Sequence, residues 1–284
     1  RLVFQKSELL HGESAPETIE LTAPSWVVDE IQIGHSYLFA YTPFARDPQR
    51  VRTMIVNPKG PRLLSSPGLE PALYPDEAAY RTVFAYAKGG TVAIRNDANA
   101  TMLDLLHGER APLRVLAAAQ FALDPTLHAR LDSNAVHTLR KAVLDEGMPW
   151  SARHWLYDLA VRKPELFGRR WLRRASQQIL AKAPVVGYDE PVNPGDLIGA
   201  VFLQVDLNQW SVRAAALSRW LHSDSTAMIE RALVQMRRQD ESLERRSVAD
   251  ALDDPGLRPD IRHFLEGHSA RLALMRSRQH GDKK

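Results

Sequence analysis

Four ten-residue strings decide how most of this chain is read: PLRVLAAAQF from Pro112, SARHWLYDLA from Ser151, SVRAAALSRW from Ser211 and LERRSVADAL from Leu243. Each has helical spacing of its apolar residues, and each carries an arginine in its third place: Arg114, Arg153, Arg213 and Arg245. The starts at 112, 151, 211 and 243 lie 39, 60 and 32 residues apart. The first interval is close to the period of about 40–47 expected where two-helix units repeat. The middle interval holds an extra segment from Pro184 to Asn208, and the last repeat is short. One helical hairpin cannot bury its apolar face alone, so stacked neighbours supply the core, and small residues such as Ala117, Ala118, Ala214 and Ala215 let helices approach closely.

Working outward, the helical period sets in near residue 101. Pro112 sits in a first turn and Asp124-Pro125 closes that helix. Ser133 is read as the cap of a helix with Val136, Leu139, Val143 and Leu144 on its apolar face, stopped by Gly147. Further helices are predicted over Ser151–Val161, Pro164–Ala181, Trp210–Leu221, Thr226–Arg238, Leu243–Leu252 and Pro259–Met275. The run Trp210-Ser211-Val212-Arg213-Ala214-Ala215-Ala216-Leu217 resembles the HEAT-repeat family, whose first helix often carries Val-Arg followed by small residues. The resemblance covers residues 101–275 and implies an α-α solenoid that presents a curved binding surface. The recurring arginine then has two readings. It is a row of phosphate or carboxylate binders, or it is a hydrogen bond between repeats to a carbonyl or acid of a neighbouring turn.

The first 60 residues carry strand patterns: Leu2–Gln5, Thr18–Thr22, Ser36–Tyr41 and Arg52–Val56, each bounded by turn residues. Seven Pro or Gly residues between 58 and 75 read as a long ordered loop, and Asp76–Ala87 as one helix ended by Gly89-Gly90. Val3-Phe4-Gln5, Glu8 to Gly12, Thr18 to Leu21 and Gly34 to Phe39 resemble the netrin-like or tissue-inhibitor-of-metalloproteinase-like group of OB-type barrels. That group is mostly extracellular or periplasmic and often disulfide-linked. This chain has no cysteine and starts at Arg1 inside a strand pattern, so only the fold is carried over. The expected class is α+β with two domains: residues 1–100 a small antiparallel β-sheet or OB-like barrel, residues 101–284 a HEAT-like helical domain. A periplasmic or secreted location is expected, with something upstream of Arg1 removed; the alternative is cytoplasmic.

Composition narrows the chemistry. With 44% apolar and 25% charged residues the chain is an ordinary globular one, and the missing cysteines exclude disulfides, thiolate nucleophiles and iron–sulfur clusters. The net charge of +3 demands no polyanionic partner. No apolar run approaches the roughly 20 residues that span a bilayer. No His-Glu-x-x-His, Gly-x-Ser-x-Gly or phosphate-loop pattern occurs, so no catalytic residue, metal or cofactor is expected. The acids in Gly187-Tyr188-Asp189-Glu190 and Asn193-Pro194-Gly195-Asp196 are read as turn formers, or as a weak metal or partner site.

The strongest positive feature is Arg169-Arg170-Trp171-Leu172-Arg173-Arg174. Eight basic and two acidic residues between 150 and 182 give a local net of +6. On a helix, Arg169 and Arg173 form one row and Arg170 and Arg174 another, flanking Trp171. Arginine forks match phosphate and tryptophan stacks on bases; equally, this is a solvated face with Trp171 in the core. With Arg153 these residues are the candidate binding set. The leading expectation is a non-enzymatic interaction protein that holds a protein partner, its oligomeric state open. The rival is a nucleic-acid-binding protein that resembles HEAT-like alkylpurine DNA glycosylases, with Asp158 and Trp155 as the residues to suspect.

Overall fold

The computed structural model describes residues 2–6, 8, 17–21, 31–39, 41–42, 62–63, 73–87, 98–190 and 193–281. Their contacts separate into two compact units, Arg1–Ala135 and Val136–Lys284. The change of period near residue 100 and the division of contacts after Ala135 are two different boundaries, because helices already fill the end of the first unit.

In the first unit, strands β1 (Leu2–Gln5) and β2 (Thr18–Leu21) pair antiparallel, with Phe4 opposite Ile19. Strand β3 (Tyr37–Phe39) pairs with β6 (Leu73–Pro75), and β4 (Tyr41–Thr42) with β5 (Arg62–Leu63). These are open two-stranded antiparallel ladders of two to four residues, and among the described residues no barrel closes, so of the two expected forms the small antiparallel sheet holds and the OB-like barrel does not. Two stretches of the expected proline-rich loop pair as strands, because Pro75 ends its strand rather than interrupting it. The expected strand Arg52–Val56 and the stop at Gly89-Gly90 lie outside the described residues. Helix α1 (Ala78–Ala87) is followed by α2 (Ala98–His107), α3 (Ala111–Leu123) and the short α4 (Pro125–His128). Leu38 and Tyr74 from the strands pack with Tyr80 and Val83 of α1 and Leu113 and Leu116 of α3, so strands and helices share one core.

Helix α5 (Ser133–Leu144) leads into the second unit. Its cap is Asp132, whose carboxylate accepts from the Ala135 amide, one residue earlier than the expected Ser133. Then come α6 (Trp150–Arg162), α7 (Pro164–Phe167), α8 (Arg169–Lys182), α9 (Gly195–Leu207), α10 (Ala214–Ser218), a 3-10 turn over Arg219–His222, α11 (Thr226–Gln239), α12 (Glu241–Asp253) and α13 (Pro259–Gly281). The single helix expected over Pro164–Ala181 is broken at Gly168, which sits at φ +78, a backbone conformation that side-chain-bearing residues rarely adopt.

The extra segment before Asn208 contains a full helix. GDLIGAVFLQVDL in α9 is apolar on nearly every side, so it lacks the polar stripe by which an amphipathic helix is recognised. The helix expected from Trp210 starts only at Ala214. Gln209 adopts φ +51, the Gln209 amide donates to the Asp206 carbonyl and the Trp210 amide to the Val205 carbonyl, which is the Schellman pattern that ends α9. Packing then proceeds between neighbours: α6 and α8 on α9, α9 on α11, α11 on α12, α12 on α13. Trp220 is buried against Phe202 and Tyr188, with its indole N–H on the Leu180 carbonyl at 3.0 Å.

Candidate functional site

The arginines sort by what they reach. A helix leaves its last four carbonyls without intrahelical partners, and a set of guanidinium groups is spent on such carbonyls. Arg114, fourth in α3, donates to the Gly108 carbonyl just past α2. Arg153, fourth in α6, donates from Nε to the Val143 carbonyl at 2.8 Å, is buried, and lies over the Trp150 ring at 4.5 Å. Arg262, fourth in α13, holds the carbonyls of Leu252 and Asp254. Arg140 serves Phe167 and Arg219 serves Leu180. Arg213 and Arg245 do not share this placement: Arg213 precedes its helix, and both are exposed and make no side-chain hydrogen bond among the described residues. The aligned strings therefore contain two equivalent arginines rather than four, and Arg262, outside every string, makes a third.

The candidate binding residues separate accordingly. Burial depresses ionisation of Arg153, with Glu146 and Asp145 opposing that, and its place is inside the fold. Trp171 is half-buried, stacked on Phe167 at 5.7 Å and under the Arg140 guanidinium at 5.7 Å. Arg169, Arg170, Arg173 and Arg174 all face solvent on α8, a helix that carries no acid. Arg173 contacts the Ser211 hydroxyl at 3.3 Å; the other three have no hydrogen bond or ion pair among the described residues. Asp158 is tied to Arg162 one turn on, at 2.8 Å. The acid-bearing loop is organised from outside, by Asp224 accepting from the amides of Gly187 and Tyr188. Among the described residues no three His, Asp or Glu side chains converge as metal ligands.

One feature of the second unit lies beyond what the spacing of residues suggested. Leu203 (47% exposed) and Leu207 (66%) stand one turn apart on α9, in line with half-buried Gly199, and Val234 (45%) faces outward on α11. Between α9 and α11 runs a groove of about 340 Å³ lined by Phe202, Leu203, Asp206, Ala227, Glu230, Arg231, Val234 and Gln235. A second recess of about 340 Å³ continues from Gln235 past Gln209, Trp210, Ser211, Arg238 and Gln239. Asp206 anchors the wall between them, accepting from Gln235 at 2.8 Å and pairing with Arg238. Gln177 of α8 donates to the Ser211 carbonyl at 2.8 Å, which fixes the Trp210–Ser211 bridge beside the arginine helix. The only advance signal of this groove was the uninterrupted apolar run in α9.

No helix among the described residues is long and apolar enough to cross a membrane. Set against known proteins, the chain matches no family model, no curated protein and no solved structure.

Proposed function

We propose that this chain is a non-enzymatic protein-interaction module whose helical hairpins stack in a HEAT-like manner and whose binding surface is the α9–α11 groove. The observation that carries the reading is that Leu203 in the groove, Leu207 one turn beyond it on α9, and Val234 on the outer face of α11 are open to solvent. A helix that is apolar all round belongs in a core, so α9 with one apolar side uncovered is a helix awaiting a partner. The groove is set by rigid elements on both walls, which suits recognition of a protein segment.

The test is a photo-crosslinking amino acid placed at Leu207 or Val234 in cells. Capture of one discrete protein, lost when Leu203→Asp is added, supports the reading; capture unchanged by Leu203→Asp counts against it. The unpaired arginines of α8 favour a second reading, nucleic-acid binding. Under that reading a 30-base-pair duplex binds at low salt, and log affinity falls against log salt by about 0.9 per phosphate contacted.

A further inference from the structure

We infer that the partner segment is an acidic amphipathic helix, its apolar side in the α9–α11 groove and its carboxylates on the arginine rows of α8. This rests on the interaction-module reading and adds the chemistry of the occupant.

The groove has two unlike ends. Ala227, Leu203, Phe202 and Val234 make an apolar trough. Toward Gln239 the lining changes to Gln209, Trp210, Ser211 and Arg238. From Ala227 to Gln239 α11 rises about 18 Å, room for a little over three turns of a second helix laid alongside. Apolar side chains at i, i+4 and i+7 cover about 10 Å of that length on one face.

Charge selects the end toward Ser211. Arg173 touches Ser211, so the arginine rows of α8 begin where the polar recess ends. Arg169 lies one turn from Arg173 on the same row, and Arg170 and Arg174 make the parallel row. Like charges at this spacing repel, and no acid on α8 relieves them. The charges that line the groove are mixed: Asp206 is neutralised by Arg238, while Glu230 and Arg231 are exposed side chains of opposite sign on its α11 wall. A ligand helix with leucines over the trough and carboxylates in the turns that reach past Ser211 answers both features at once. A nucleic-acid strand would answer only the arginines and leave Leu203, Leu207 and Val234 open.

The backbone at the junction points the same way. Gln209 closes α9 in the left-handed conformation of its cap, and Trp210 and Ser211, which follow it, line the recess that faces Arg238 and Gln239 of α11.

The experiment uses the full chain and fluorescein-labelled, lactam-stapled helical peptides of about 14 residues. Three carry leucine at i, i+4 and i+7, with glutamate, lysine or glutamine in the turns beyond the leucines; a fourth carries glutamate with the leucines replaced by glutamine. The glutamate–leucine peptide is expected to bind by fluorescence anisotropy about tenfold or more tighter than the lysine one, and the leucine-free peptide not to bind. Leu203→Asp and, separately, Val234→Asp are expected to weaken it about tenfold or more, with unchanged thermal melts. Reversing the rows with Arg169→Glu, Arg170→Glu, Arg173→Glu and Arg174→Glu is expected to transfer the preference to the lysine peptide. Equal binding of all three leucine peptides, abolished by Leu203→Asp, overturns the acidic partner and leaves the groove reading standing. No binding by any of them, or binding indifferent to Leu203→Asp and Val234→Asp, overturns both. Displacement of the glutamate peptide by a duplex of equal charge, with the leucines irrelevant, overturns the inference in favour of nucleic acid. A dimer in sedimentation that Leu203→Asp dissolves overturns it in favour of a second copy of the chain.

Discussion

Arg237→Met is expected to destabilise the second unit more than removal of the acid it binds. Glu244, with 2% of its side chain exposed, accepts two hydrogen bonds from Arg237, at 2.8 and 2.7 Å, and one contact at 2.9 Å from His268 Nε2. One carboxylate thus ties α11, α12 and α13 together. Burial pushes the Glu244 carboxyl up, but the hydrogen bonds from Arg237 and His268 outweigh it and hold the carboxyl below its usual range. Its contribution to stability is therefore present above the unfolded carboxyl value and lost as pH falls through the lower folded one. Arg237 is 41% exposed, so without Glu244 its guanidinium turns to water, and Glu244→Leu is expected to cost about 0–1 kcal/mol. Without Arg237 the carboxylate stays buried. Breaking a buried pair from that side costs about 3–5 kcal/mol; with His268 still in place the lower end, about 3 kcal/mol, is expected. That is a loss of roughly 6–12 °C in melting temperature for a unit of this size. In the variant the main opposition to burial is gone and only the His268 contact remains, so the folded carboxyl value rises from its depressed position. The penalty of Arg237→Met should accordingly be largest at pH 7 and shrink toward pH 5, as a proton on the carboxyl replaces the missing cation. Thermal and urea melts followed by far-ultraviolet circular dichroism at both pH values measure this. A Glu244→Leu cost equal to that of Arg237→Met, or an Arg237→Met penalty that grows on acidification, refutes the argument.

Three further outcomes are expected from the same melts. Arg153→Met leaves the Val143 carbonyl unpaired and should cost about 1–2 kcal/mol, whereas Arg245→Met, in the same place of its string but exposed, should stay within about 0.5 kcal/mol. Gly168→Ala puts a side chain at φ +78, 3.5 Å from the Arg140 guanidinium, and should cost about 1–3 kcal/mol. Gln209→Gly relaxes the left-handed residue that ends α9 and should stabilise by about 1 kcal/mol. The peptide affinity proposed above should weaken in that variant, since the Trp210–Ser211 wall becomes more mobile.

Helices with a one-sided apolar stripe were legible in the sequence: α3, α11 and α12 begin and end within two residues of expectation. What escaped was set by contacts that periodicity does not encode. α9 has no stripe because three neighbours, α6, α8 and α11, pack around it. The helix expected from Trp210 runs through the residues that close α9, and nothing in Trp-Ser-Val-Arg marks them as a terminus. The split of α7 from α8 turned on one glycine inside a continuous apolar rhythm. In the first unit, strands of two to four residues carry too few alternations to specify which partner each will find, so their existence was readable and their closure into a barrel was not. The arginine helix was found from composition, but its neighbour, the apolar groove, depends on which side of α9 is left uncovered.

The same residue type meets two fates in this unit, and reach decides between them. Arg140, Arg153, Arg219 and Arg262 each lie within a side chain's length of carbonyls at a helix C-terminus, groups that otherwise stay unpaired inside the fold. Arginine suits that duty, since its charge complements the negative end of the helix dipole and its forked donors can serve two carbonyls, as Arg262 does. A cation so placed is consumed by folding and has nothing left for a ligand. Arg169 and Arg170 occupy the first turn of α8, at the positive end of a dipole, where a cation weakens its own helix. Their placement costs stability, while acids there would add to it. Two arginines kept where folding disfavours them, in rows that Arg173 and Arg174 continue beside a groove with uncovered leucines, are what the proposed negatively charged amphipathic partner would explain together.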